Sequence, residues 1–583
     1  MDNEKRLIAA IALSVVILVV FAWLSPKPER QPLPAAEETA TAERTVETET
    51  EPRRRPPETA RETDEAVDEA PLDEPAIEAE VEEEILIDNG VLQVVFTNRG
   101  GRALSWTLDG YTSADGNLLN LFPRFEDGGG SPLSIDVDDP ALTDELNHVL
   151  YRVERERLAG EGPSGGERIS FSWSDGRGMA VEKTFVFRNG DYLVDAWLDV
   201  TDRGRRLPAR LTLGPGFAAQ EPSSSHSNYY YESQGVWNVG SEVTRNKRGK
   251  LEDEGGFSGP VLWAGLEDQY FTSLIIPNDS PAQVRWKNYE LITIPVEGED
   301  ADDAPELRPE PVIAVSMQGG GAQLFIGPKN YGLLRSIGDD RELGEAVWWS
   351  SQGWLRAIVK VLFACLVWIH DNVTQNWGMA IVLATLVLRL VLFPVNQYSM
   401  VSMKKTQLQM QKLQPKVKAI RNKYKKAKDA QSKGKMNQEM MALYKQEGVN
   451  PMGGMSGCLP LLAQFPILIG FYNMLTVAVE LRGAPFFGWI QDLSQQDPFM
   501  ILPILMAVTM FAQQKLAMSK IKDPQQLQQQ RMMLFMPIVF GFICLQMPSG
   551  LVLYWFVNNL LGMGQQWLVN RHAGRLEAAE QKA

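Results

Sequence analysis

The C-terminal part of the chain returns again and again to apolar stretches of membrane length, and one of them carries a fixed charge. Residues 379–395 read MAIVLATLVLRLVLFPV, with Arg389 among aliphatics. Arginine is effectively always protonated, and at the centre of a membrane helix it costs ~2.5–3.5 kcal/mol on insertion scales. Something must solvate it. In one reading Arg389 lies near the cytoplasmic end and snorkels to lipid headgroups. In the other it lines a water-filled working site. Neighbouring spans also carry polar residues at membrane depth, which favours the second.

Five spans are expected at about 377–395, 459–479, 499–516, 532–547 and 551–569. The loop between the first two holds Lys404, Lys405, Lys412, Lys416, Lys418, Arg421, Lys423, Lys425 and Lys426, so it belongs on the cytoplasmic side. The loop at 480–497 is slightly acidic and belongs outside. Lys515, Lys520, Lys522 and Arg531 put the next loop inside, and Pro548-Ser-Gly550 makes a tight outer turn. A further apolar stretch at 7–24 follows Lys5 and Arg6 and covers about 27 Å as a helix, enough to cross. It reads as an uncleaved anchor (1–25) rather than a signal peptide, because Trp23 and Leu24 occupy the place of a small-x-small cleavage site. Six crossings with both termini inside satisfy the charge rule at every loop.

Residues 26–84 are Pro, Glu, Ala, Thr and Arg with almost no large apolar side chains, so they predict a disordered tether. From 85 to 345 the pattern becomes short alternating strands, such as 91–96, 168–173, 181–187, 192–200, 261–266, 271–276, 283–286, 291–296, 312–317 and 322–326, broken by Gly, Asn and Asp. This predicts a large antiparallel sandwich on the outer side. His148 and His226 fall in apparent loops, and no acidic pair stands out, so docking and spacing outrank catalysis there. The three cysteines, Cys365, Cys458 and Cys544, lie in apolar stretches, which argues against a disulfide framework. No nucleotide loop, dinucleotide fingerprint, nucleophile elbow or metal-ligand spacing occurs. The chain is expected to be neither an enzyme nor cofactor-dependent.

Residues 346–372 mix Trp with Arg356, Lys360 and His370, as in an amphipathic helix lying in the membrane interface; a true span is the alternative. The basic loop (398–447) has helical spacing interrupted at 429–434, which predicts an αα-hairpin. Its cations suit anionic lipid headgroups or a ribosome or targeting factor, and charge alone does not separate these. No DNA-binding role is expected. Within the spans, Thr385 lies one turn before Arg389, Gln464 lies early in the second, and Tyr554, Asn558 and Asn559 lie in the last. One such residue is usually helix–helix glue. Several beside an arginine predict a polar groove. A short tail (572–583) ends inside.

These residues resemble the YidC-type membrane protein insertases of Gram-negative bacteria. The match rests on Asn376-Trp-Gly378, Thr385 through Arg389 to Pro394, Met440-Met-Ala-Leu-Tyr-Lys445, Val449-Asn-Pro-Met-Gly-Gly454, Leu459-Pro-Leu-Leu-Ala-Gln-Phe-Pro466, Asp497-Pro-Phe-Met-Ile-Leu-Pro503 and Met547-Pro-Ser-Gly-Leu-Val-Leu-Tyr554. The resemblance implies a multi-domain membrane protein: an N-terminal transmembrane anchor, a periplasmic all-β super-sandwich of galactose-mutarotase type, and a five-span insertase core (373–571) with a cytoplasmic helical hairpin. It implies an inner-membrane location and a hydrophilic groove open to cytoplasm and lipid. In that groove Arg389 is the cation, Thr385 is one turn away, and Tyr554 and Trp555 are opposite. Trp555 departs from a tyrosine common in the family and lacks its hydroxyl. The implied partners are nascent hydrophobic membrane proteins and the Sec translocon with its accessory subunits. A secondary transporter binding an anion at Arg389 is the alternative; it would usually show repeated halves, and none is seen.

Overall fold

The computed structural model describes residues 75–580 apart from 114–115, 123–130, 161, 163–164, 216, 218–232, 248–250, 252–253, 293–306, 318–320, 351, 425–429, 448–458 and 519–523. The expected anchor and most of the expected tether lie outside the described residues, as do His226, Cys458, Lys425 and Lys426.

Among the described residues the strands form three sheets, and every strand pairing is antiparallel. The largest sheet runs Glu242–Lys247, Gln234–Val239, Val261–Glu267, Phe271–Pro277, Ala322–Pro328, Leu193–Asp202, Met179–Arg188, Gly166–Ser174, Arg152–Leu158 in spatial order, with Arg205–Arg206 added beside Leu193–Asp202. A five-stranded and a four-stranded sheet accompany it. Alternation drives the packing. Leu92, Val94 and Phe96 point inward from one strand and Val181, Phe185 and Phe187 from another. Phe96 meets Phe185 at 5.3 Å and Phe171 at 5.5 Å, and each buried ring contributes roughly 1.5–3 kcal/mol.

Several sequence expectations need correction. The two strands expected at 283–286 and 291–296 are one, Ala282–Ile292, because Trp286 to Tyr289 continues the pairing with Leu307–Ser316. Ile77 already bridges Ser174, so the sandwich begins before residue 85. His148 closes a helix, α1 (Pro140–His148), rather than lying in a loop.

After α2 (Tyr331–Gly338) the chain enters α3 (Gly353–Asn372), whose buried stripe is Leu355, Val359, Leu362, Leu366 and Ile369 while Trp354 and Trp368 stay exposed. Then come α4 (Trp377–Lys423), α5 (Ala430–Gln446), α6 (Leu459–Val477), α7 (Ile501–Ala517), α8 (Pro524–Cys544) and α9 (Ser549–Glu580). Among the described residues, Gly353–Asn372 and Trp377–Met410 are long and apolar enough to cross a membrane; Phe465–Val477, Ile501–Ala517 and Leu534–Cys544 are shorter apolar helices.

The first expected span and the first hairpin arm are a single 47-residue helix. Pro394 and Pro415 lie inside it without ending it. Of the stretch expected to separate the two arms, residues 430–434 are helical within α5, Gly434 included. A glycine costs about 1 kcal/mol in a helix, and the Gln, Lys and Met around it offset that. The expected separate tail is the continuation of α9 to Glu580.

The motif residues pin the helix ends. Asn376 Oδ1 caps α4 by accepting from Met379 N at 2.9 Å, while its Nδ2 donates to the carbonyls of Pro485 and Phe486. Trp377 stacks on His370 at 3.8 Å. Asp497 accepts from the backbone N–H of Phe499 and Leu502 and from Trp489 Nε1, fixing the start of α7. Ser549 donates to the carbonyls of Asp492 and Gln495 at the start of α9.

Candidate functional site

Helices α4 and α9 run parallel in constant register. Gly550 approaches Ile381, Asn558 bonds Arg389, and Gln565 bonds Gln397, offsets of 169, 169 and 168 residues. Steps of seven or eight residues keep one face of each helix in contact. Arg389 therefore meets α9 because the same face of α4 is held in place from its capped end.

Arg389 is half-buried. Its Nε donates to Asn558 Oδ1 at 2.7 Å and its Nη2 to the Asn558 carbonyl at 2.8 Å. No Asp or Glu pairs with it among the described residues. A cation held by neutral oxygens keeps its full charge available. Gly562 makes the approach possible: a Cβ there would lie 2.4 Å from Gln513 Nε2 and 3.0 Å from Arg389 Nη2.

Of the other expected groove residues, Thr385 is 0 % exposed and its hydroxyl donates to the Ile381 carbonyl at 2.7 Å. Tyr554 is also 0 % exposed and stacks on Phe471 of α6 with centroids 4.3 Å apart. Trp555 is half-buried, with Phe540 of α8 against its ring at 4.8 Å. Asn558 and Asn559 are half-buried on α9. Gln464 falls in α6, but its side chain lies outside the described part of the structure. The structure thus brings Arg389 and Asn558 into contact and places Thr385 and Tyr554 behind them in the packing.

Sequence reading missed a layer of amides two turns further along. Gln565 Nε2 approaches Gln397 Oε1 at 3.4 Å and the Phe393 carbonyl at 3.5 Å. Gln566 bonds Asn570, and Asn570 bonds the Leu516 carbonyl of α7. Asn396 is 8 % exposed, and its Nδ2 has no hydrogen-bond partner among the described residues. The signal was available: Asn396 and Gln565 each follow Arg389 and Asn558 by seven residues, two turns on the same face.

The cations of the basic hairpin are spread along α4. Leu413 and Val417 are buried, while Lys405, Lys412, Lys416, Lys418 and Lys423 are exposed and Lys404 and Arg421 half-buried. Lys416 pairs with Glu447 and Lys423 with Glu439 of α5. The sandwich holds a cleft of about 480 Å³ lined by Trp197 and Arg206 among others. Both its arginines are already paired, Arg168 with Glu156 and Arg206 with Asp199.

Residues 368–576 match the family described as 60Kd inner membrane protein, and residues 84–365 match the YidC periplasmic domain. A membrane protein insertase YidC of Geobacter metallireducens is 32 % identical over 584 residues, covering 99 % of this chain and 100 % of its own. That of Geobacter sulfurreducens is 34 % identical over 579 residues, with the same coverage. The crystal structure of YidC from Thermotoga maritima aligns with 84 % of this chain and 99 % of its own at 15 % identity and a TM-score of 0.29.

Proposed function

The chain belongs to the YidC family of membrane protein insertases, and from that premise we propose that it inserts and helps fold nascent inner-membrane proteins through a hydrophilic groove centred on Arg389. It works without ATP, alone or with the Sec translocon. The sandwich lies in the periplasm and both termini lie in the cytoplasm. The basic hairpin receives the ribosome or a targeting factor and rests on anionic lipid.

The observation that carries this reading is the cation between α4 and α9, half-buried and held by Asn558 with no acidic partner among the described residues. An arriving hydrophobic segment brings a short polar flank. Arg389 and the amides around Gln397 and Gln565 replace the water around that flank partway across, which shortens the dry path. A membrane potential positive outside favours export of an acidic flank by about 2.3 kcal/mol per charge per 100 mV. The segment then leaves sideways into lipid. Ile504, Leu505, Val508 and Phe511 on α7 and Phe535, Ile538 and Phe542 on α8 are large apolar side chains already exposed for that exit. No covalent chemistry is involved.

The test is insertion of a single-span client by Arg389→Ala at matched protein levels, with crosslinking from Gln464, Trp555 and Asn559 to a stalled client. Reduced insertion and a crosslink from at least one position are expected. Normal insertion by the variant overturns the groove.

A further inference from the structure

Resting on that groove reading, we propose that Asn558 is a positioning residue for Arg389: it engages one edge of the guanidinium through neutral oxygens and leaves the other edge, at undiminished charge, for a carboxylate on the client.

A guanidinium has five N–H donors in a fixed fork. Two parallel pairs of them suit a carboxylate: Nε with one Nη hydrogen on the side, and one hydrogen from each Nη at the end. Asn558 uses the side pair, with its Oδ1 on Nε at 2.7 Å and its backbone carbonyl on Nη2 at 2.8 Å. Nη1 makes no hydrogen bond to any described residue, and it is not among the buried polar atoms without a partner. Among the described residues the end pair is therefore unused. Three further features keep it so. The Thr385 hydroxyl is turned back onto the Ile381 carbonyl. Gly562 adds no side chain of its own at Nη2, where a Cβ would stand 3.0 Å away. No acidic group pairs with Arg389 among the described residues.

The choice of an amide matters. Asparagine and aspartate have nearly the same shape, and either could accept from Nε. Only asparagine leaves the site with its positive charge. An aspartate would form a side-on ion pair and cancel the field that a client's carboxylate meets. A residue that merely glued α4 to α9 would tolerate that exchange, because the hydrogen bond to the guanidinium becomes a stronger ion pair.

The experiment compares Asn558→Asp, Asn558→Leu and Arg389→Ala in the full-length protein. Two single-span clients are used, one with two aspartates in the exported flank and one with asparagines in their place. Asn558→Asp is expected to lower insertion of the aspartate client roughly tenfold, the effect of cancelling one charge at about 10 Å in a medium of effective dielectric about 20, and to leave the asparagine client unchanged. Asn558→Leu, which keeps the charge and loses the orientation, is expected to lower the aspartate client less than Asn558→Asp does. Equal insertion of both clients by Asn558→Asp, while Arg389→Ala fails with the aspartate client, overturns the positioning role and spares the groove. Equal loss of both clients in Asn558→Asp also overturns it. Normal insertion by Arg389→Ala overturns the groove itself.

Discussion

Lys183 and Arg389 are both cations away from bulk water, and both are held by neutral oxygens. Lys183 is 0 % exposed, with Nζ donating to the carbonyls of Gly100 at 3.0 Å, Gly101 at 2.9 Å and Leu133 at 2.8 Å. Burial pushes its amine down to about 7, while three carbonyl acceptors suit the three hydrogens of the ammonium. Gly100 supports the turn with φ +71° and no side chain facing Asn147 O. Lys183→Met should cost roughly 2–4 kcal/mol, because three buried carbonyls lose their donor, and it should show as a lower unfolding temperature of the detergent-solubilised protein. At Arg389, lysine keeps the charge but not the fork that Asn558 engages. Arg389→Lys should insert an acidic-flank client at a rate between those of the native protein and Arg389→Ala. The two cations differ in how plainly the sequence announces them. Arg389 stands out because every neighbour is aliphatic. Lys183 lies on the inward face by simple alternation with Val181, Phe185 and Phe187, yet a strand containing Glu182 and Thr184 looks merely amphipathic, so its burial passes unnoticed.

Helix α4 shows why the elements were only partly legible. Its apolar and basic halves differ so sharply in composition that they read as a span and a separate arm. Composition reports the medium around a helix, whereas continuity depends on backbone hydrogen bonds, and Pro394 and Pro415 interrupt those only locally. The parallel contact of α4 with α9 was not legible at all, since no local pattern encodes a 169-residue offset. Its consequence centres on Gly562. An alanine there meets the tip of Gln513 at 2.4 Å and Nη2 of Arg389 at 3.0 Å. Both are the far ends of long side chains that give way, and the gain in helix propensity of about 1 kcal/mol offsets the shift. A leucine must displace the guanidinium altogether. Gly562→Ala should leave thermal stability nearly unchanged and insertion largely intact. Gly562→Leu should reduce insertion as far as Arg389→Ala does, measured with the same client at matched levels.

The sandwich and the helical bundle meet at the end where α4, α7 and α9 begin. Gln269 Nε2 donates to the Thr476 carbonyl, and Arg482 lies over Tyr270 and Phe271 and donates to the Thr112 carbonyl. On the other flank, Glu345 pairs with Arg356 and Lys360 of α3, and Arg245, bonded to buried Glu267, reaches the carbonyls of Glu345 and Ala346. Two carboxyls at the first of these contacts are raised. Burial pushes Glu480, beside Tyr111, Tyr331 and Arg482, up to about 7. Burial also pushes Asp268 up to about 6 against the opposing backbone N–H groups of Phe271 and Tyr270 and the charges of Lys329 and Arg482. A carboxyl whose pKa is higher in the docked state favours docking while it is protonated. That contribution is complete below about pH 4.5, falls as pH rises, and is gone once pH passes about 7 for Glu480. The junction should therefore tighten in acid. Hydrogen exchange of the backbone amides between Thr476 and Arg482, corrected for intrinsic rates, should be slower at pH 5 than at pH 7.5, by on the order of 1–2 kcal/mol of opening free energy. Glu480→Gln stays neutral throughout and should remove the larger part of the difference, leaving the part that belongs to Asp268. An unchanged pH dependence in that variant would assign the effect elsewhere.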